Sequence, residues 1–239
     1  DTVSYAASSQ AVTVTLNSSS NSGGDAAGDV LSNLENVIGS AQGDTLTGDS
    51  GANRIDGGAG DDLIVGGAGG DTIDGGAGTD TVSYAASSQA VTVTLNSSSN
   101  SGGDAAGDVL SNLENLIGSA QSDTLTGDGG ANRVDGGGGD DIIAGGGGAD
   151  TLDGGAGTDT VSYAASSQAV TVTLNSSSNS GGDAAGDVLS NFENLIGSGN
   201  ADTLTGDGAA NRIDGGSGDD LLVGLGGADV LIGGAGQDT

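Results

Sequence analysis

The sequence contains no cysteine, proline, methionine, histidine, tryptophan or lysine, and its aromatics are three tyrosines and one phenylalanine. Without cysteine there are no disulfides and no thiolate metal ligands. Without histidine, zinc sites and the usual nucleophilic triads are excluded as well. The scarcity of aromatics leaves no conventional large-residue core. No apolar run approaches the ~20 residues that a membrane-spanning helix needs. Positive charge is almost missing: Arg54, Arg133 and Arg212 stand against 33 acidic residues, for a formal net charge of −30. Such a chain repels nucleic acid and anionic membranes, and it repels itself when compact. Composition alone fits a disordered acidic chain; a cation built into the fold is the alternative.

What is present is repetition. DTVSYAASSQAVTVTLNSSSNSGGDAAGDVLSN begins at Asp1, Asp80 and Asp159, a period of 79 residues without insertion or deletion. The units are 1–79, 80–158 and 159–237, and Asp238-Thr239 opens a fourth, so the chain is expected to be one continuous array taken from a longer one. A shorter period runs inside each unit. Glu35, Asp44, Asn53, Asp62, Asp71 and Asp80 are nine residues apart, as are Glu114, Asp123, Asn132, Asp141, Asp150 and Asp159, and then Glu193, Asp202, Asn211, Asp220, Asp229 and Asp238. An aliphatic residue follows two positions after nearly every one: Val37, Leu46, Ile55, Ile64, Ile73, Val82. Disorder gives no reason to hold an acid and an aliphatic in fixed phase.

Each nonapeptide divides into a turn and a strand. In GGAGTDTVS (Gly75 to Ser83) the glycines suit a turn with positive φ or close backbone approach, and Thr-Val-Ser suits a strand with its aliphatic on one face. Two nonapeptides close one coil of 18 residues, and stacked coils cover one another as in other solenoids. Asp44, Asp62 and Asp80 then line one edge, and Glu35, Asn53 and Asp71 the other. Coils lie about 4.8 Å apart, so carboxylates at that spacing need a cation between them. Calcium, which takes 6–8 oxygens from carboxylates and carbonyls, suits the place.

GGAGDDLIV, GGAGGDTID and GGAGTDTVS match the repeat GGxGxDxUx, so the chain resembles the RTX (repeats-in-toxin, haemolysin-type) calcium-binding proteins. The match is close over 57–83, 136–162 and 215–239 and loose over 39–56. The resemblance implies an all-β fold, a right-handed parallel β-roll or β-helix solenoid with several Ca2+ ions in its glycine-rich turns. It also implies bacterial secretion and a chain disordered until it meets extracellular calcium. The ligands it points to most strongly are Asp44, Asp62, Asp71, Asp80, Asp123, Asp141, Asp150, Asp159, Asp202, Asp220, Asp229 and Asp238. Asn53, Asn132 and Asn211 stand at the acid position with less charge and rank below them. In the third unit Leu225 replaces the second glycine of a pair and Ile232 the usual aspartate.

From Asp80 to Glu114 is 34 residues, not a multiple of nine. Ala90 to Leu95 alternates like a strand, Asn96 to Gly103 reads as a loop, and GGDAAGDVL resembles a glycine turn with one extra residue. One or two wider coils are expected here, a side bulge being the alternative. Its aspartates, Asp25, Asp29, Asp104, Asp108, Asp183 and Asp187, are either further ligands or a solvated turn. Asp49, Asp56 and Asp74 read as surface charges, and the arginines as local ion-pair partners.

Other chemistry finds little support. Asp61-Asp62 and Asp140-Asp141 are carboxylate pairs of the kind glycosidases use, but no aromatic platform accompanies them. GGAGG lacks the GK[ST] of a phosphate loop. The expected function is therefore a calcium-folded structural segment of a secreted or surface protein, a rod, filament or adhesin stalk whose partners are calcium and further copies of itself. The other reading is the calcium-binding C-terminal module of a secreted enzyme.

Overall fold

The structure is a computed structural model that describes all 239 residues. Their contacts divide into two units, Asp1–Ala120 and Gln121–Thr239. Both are built from short parallel strands, most of them three residues long, and their only helical turns are 3₁₀ turns such as Gly103–Ala105 and Gly182–Ala184.

In the first unit the strands Thr2–Ser4, Asn36–Ile38, Arg54–Ala59, Thr72–Ala77 and Val109–Ser111 form one parallel sheet. Thr13–Thr15, Thr45–Thr47, Leu63–Val65, Thr81–Ser83 and Asn115–Ile117 pair in a second. The chain alternates between the two, which makes the fold a parallel β-roll. Registers follow the 18-residue coil: Val37 stands opposite Ile55 and Ile55 opposite Ile73, while Leu46 stands opposite Ile64 and Ile64 opposite Val82. These aliphatics point inward and are fully buried, because a period of two puts one side chain of each Thr-Val-Ser or Thr-Leu-Thr triplet inside and two outside. The boundary between Thr79 and Asp80 falls in a turn between paired strands of this unit.

The 34-residue segment makes a wide coil. Val109–Ser111 returns to pair with Thr72–Asp74, and Asn115–Ile117 with Thr81–Ser83, so the roll continues in register. Between Thr81–Ser83 and Val109–Ser111 the chain adds the strand Thr92–Thr94, Thr92 and Ser101 form an antiparallel bridge, and a 3₁₀ turn follows. The segment is thus a wider coil of the same roll, as the first of the two expectations had it, and an antiparallel side loop sits on it. Its interior is held by Tyr84, whose hydroxyl donates to Asp108 Oδ2 at 2.8 Å. Burial first, and then Asp108, push the tyrosine pKa upward, so the hydroxyl keeps its proton.

In the second unit the same device changes the sheets. Before the wide coil the chain alternates between a sheet containing Thr124–Thr126, Ile142–Ala144 and Thr160–Ser162 and one containing Arg133–Asp135 and Thr151–Asp153. Val188–Ser190 ends the latter. After the wide coil the partner of the first sheet is a new one, Thr171–Thr173, Thr203–Thr205 and Leu221–Val223. Leu225 is left-handed, at φ 65°, and exposed; it occupies a place that glycine fills in other turns, at a cost of about 1–2 kcal/mol.

Candidate calcium seats in the turns

The carboxylates of the turn aspartates lie against the first glycine of their own turn, and one oxygen is fixed by the neighbouring coil. Asp62 Oδ1 accepts from the Asp44 N–H at 2.7 Å, and Asp80 Oδ1 from Asp62 at 2.8 Å. On the other edge Asp71 Oδ1 accepts from Asn53, and Asp108 Oδ1 from Asp71, both at 2.8 Å. The second unit repeats this at Asp141, Asp150, Asp159, Asp187 and Asp220. Glu114 and Glu193 extend the ladder, each accepting from the aspartate N–H at 80 or 159. Glu35 makes the equivalent contact in the first copy, accepting from the nitrogen of Asp1. The two edge rows expected from the 18-residue coil are therefore present, joined by hydrogen bonds.

The second oxygen is different. Oδ2 of Asp62, Asp71, Asp80, Asp141, Asp150, Asp159 and Asp220 is buried and has no hydrogen-bond partner. These residues are at most 2% exposed. Buried polar groups are nearly always paired, and an unpaired charge is the costliest exception. The carboxyls respond by holding their protons: Asp62, Asp71, Asp141 and Asp150 are pushed from 3.8 to about 7, mainly by burial and further by neighbouring carboxylates. Asp80, Asp159 and Asp220 shift upward for the same reasons.

Three of the orphaned oxygens share a cradle with a glycine carbonyl. A Cβ on Gly57 would collide with both Asp62 Oδ2 and the carbonyl of Gly75. One on Gly136 would strike Asp141 Oδ2 and the Gly154 carbonyl, and one on Gly215 would strike Asp220 Oδ2 and the Gly233 carbonyl. Nowhere do three acidic side chains converge, so an ion here takes most of its ligands from the backbone. One carboxylate with several carbonyls, all hard oxygens, fits Ca2+. Replacing Gly57 by alanine should fill the cradle between Asp62 and Gly75. We expect that variant to lose one bound ion and to need more calcium to fold, measured by circular dichroism during a calcium titration; an unchanged midpoint contradicts it.

The structure sorts the other expected ligands. Asp229 and Asp238 sit in the same cradles, against Gly224 and Gly233, and each Oδ1 accepts from the preceding coil. Asp123 is buried and donates its N–H to Asp141. Asp44 and Asp202 have no orphaned oxygen. Oδ2 of Asp44 accepts from the Ser40 N–H and Oδ1 from the Ser40 hydroxyl and Val12 N–H; Ser198 and Val170 do the same for Asp202. At the asparagines Oδ1 accepts from the N–H of Asp49, Asp128 or Asp207, at 2.8 Å in each case. Asn53 and Asn211 also donate to the carbonyls of Glu35 and Glu193, at 3.0 and 3.1 Å. In the wide coils Asp108 and Asp187 have both oxygens occupied, by tyrosine hydroxyls and backbone N–H groups, and Asp29 accepts from Tyr5. Asp25, Asp104 and Asp183 lie in the 3₁₀ turns at the surface, with their N–H groups on serine hydroxyls.

Asp49 departs from its simple surface reading. Asp49 accepts from Gly51, Asn17 and Asn53, and these hydrogen bonds, Gly51's foremost, lower its pKa. Asp61, Asp140 and Asp219 accept from the N–H groups of Thr79, Thr158 and Gln237 respectively, one coil on. The arginines do pair locally: Arg54 with Asp56, Arg133 with Asp135 and Arg212 with Asp214, at 3.7, 3.8 and 3.3 Å. All three pairs are at the surface, where such bridges contribute about 0–1 kcal/mol.

No helix is long and apolar enough to cross a membrane. No curated protein matches the chain. The family model for the RTX calcium-binding nonapeptide repeat matches residues 38–73, 60–86, 114–143, 126–161, 190–222 and 205–239. These matches take in more than half the sequence and fall on the stretches that contain the open carboxylates. The chain belongs to the family of RTX calcium-binding nonapeptide repeats.

Proposed function

We propose that this calcium-binding repeat region is a structural rod of a secreted, bacterial-type protein, a stalk or filament segment that stiffens when it meets calcium outside the cell. The observation that carries the reading is the set of seven buried carboxylate oxygens with no protein partner. They are seats for a cation in the turns, and nothing in them suggests turnover of a substrate. Three near-identical units favour a uniform spacer, since a module that only supports an enzyme needs few coils. Extracellular calcium modules work at dissociation constants of about 10⁻⁴–10⁻³ M, which suits a chain that stays unfolded inside a cell and folds on export. Self-assembly through unpaired strands at the ends of such arrays belongs to the same reading.

Small-angle X-ray scattering on the 239-residue chain tests it. With millimolar calcium the scattering should be that of an elongated particle of constant cross-section, and a concentration series shows any end-to-end growth. A compact, near-spherical particle overturns the rod. A catalytic domain encoded beside this segment would favour the enzyme-module reading.

A further inference from the structure

The turns fall into two conformational classes, and the residue types at two positions separate them. In the open class the second and fourth residues of the turn both have positive φ. Examples are Gly58 and Gly60 (102° and 98°), Gly67 and Gly69 (89° and 126°), and Gly146 and Gly148 (87° and 128°). These turns precede Asp62, Asp71 and Asp150, and every orphaned oxygen belongs to a turn of this class. In the closed class those places hold Ser40 and Gln42, Asp49 and Gly51, Ser198 and Asn200, or Asp207 and Ala209, none with positive φ.

The cause is the direction of one N–H. In closed turns the N–H of the second residue points inward, to the side chain four residues on: Ser40 to Asp44, Asp49 to Asn53, Ser198 to Asp202, Asp207 to Asn211. A left-handed second residue turns that N–H away. At Gly137 and Gly155 it goes outward to the carboxylates of Asp135 and Asp153, at 3.1 and 3.2 Å. The inward oxygen of Asp141 or Asp159 is then left bare. At Asn53 and Asn211 the closure goes further, because the side-chain amide also reaches the carbonyl of the previous coil. Protein donors fill the position that an ion would take.

We propose that the closed turns hold no calcium, and that the second and fourth turn residues decide which coils of the roll depend on metal. This rests on the reading that ions occupy the open turns. Every 79-residue unit then joins a run of calcium-dependent coils to coils locked by serine and asparagine, and the ion count follows the open turns and not the twelve aspartates in phase.

The test opens closed turns one at a time and counts ions on the full chain. Ser40→Gly with Gln42→Gly turns GSAQGD at residue 39 into GGAGGD, the wording of the open turn at residue 66. Ser198→Gly with Asn200→Gly turns GSGNAD at residue 197 into GGGGAD, the wording of the open turn at residue 145. Calcium bound per chain is measured at neutral pH by equilibrium dialysis and by native mass spectrometry. Each pair should raise the count by one ion, and the two together by two. The turns lie far apart in sequence, so a folding defect in one variant leaves the other to decide. If wild type binds calcium and neither variant gains an ion, the two-class assignment is wrong while calcium binding in the open turns stands. If wild type binds no calcium, both fall.

Discussion

Removing calcium at neutral pH should convert the β-sheet spectrum of the chain to that of a coil, and adding calcium back should restore it. Magnitudes decide the matter. Domains are stable by only about 5–15 kcal/mol. A buried acceptor left without a partner costs about 1–3 kcal/mol, and more when charged. Seven such oxygens can therefore cancel the net stability of an ordinary domain before the self-repulsion of 30 net charges is added. The core has little to set against this. It consists mainly of one small aliphatic per strand, a few more in the wide coils such as Val91, Leu95 and Leu113, the tyrosines and Phe192, while ordering each residue costs about 1–2 kcal/mol. An ion supplies what is missing: a partner for each bare oxygen, a bridge between coils, and positive charge. Ion binding and folding are thus one event. Far-UV circular dichroism in chelator and in millimolar calcium measures it, and complete β structure in chelator contradicts it.

The main features of this arrangement can be read from residue order because they are periodic. The phase of Val37, Leu46, Ile55 and Ile64 against the acids gives the 18-residue coil, and the observed registers follow it. The two carboxylate rows come from the same count. What periodicity could not distinguish is Asp44 from Asp62. Both occupy the sixth place of a nonapeptide; they differ because Ser40 turns its N–H inward and Gly58, at φ 102°, does not. The signal was present in GSAQGD against GGAGDD, but its meaning lies in a backbone dihedral. The wide coil was hidden for another reason. Tyr84 meets Asp108 across 24 residues, a contact set by tertiary packing that no local pattern announces. Asp49 gained one of its partners the same way, Asn17 on an earlier coil.

Acidification should refold the calcium-free chain. Asp62, Asp71, Asp141 and Asp150 titrate at about 7 in the ion-free fold against an ordinary 3.8. A carboxyl whose pKa is raised by folding binds its proton more tightly in the folded state. Its contribution to stability is complete below the ordinary value and is lost as pH rises through the raised one. The ion-free roll should therefore be most stable near pH 4 and lose stability steadily up to about pH 7, the window those shifts define. Neutralising the remaining surface carboxylates at the acid end removes self-repulsion and acts in the same direction. Calcium reverses the dependence, because protons and the ion compete for the same oxygens: affinity should rise with pH across the window. Thermal melts of calcium-free protein at pH 4, 5, 6 and 7, paired with calcium titrations at each pH, read both slopes. Stability of the ion-free chain that increases with pH contradicts the assignment. Replacing Asp62, Asp71, Asp141 and Asp150 together by asparagine should flatten the dependence, since an amide in the same place has no proton to lose and no charge to bury.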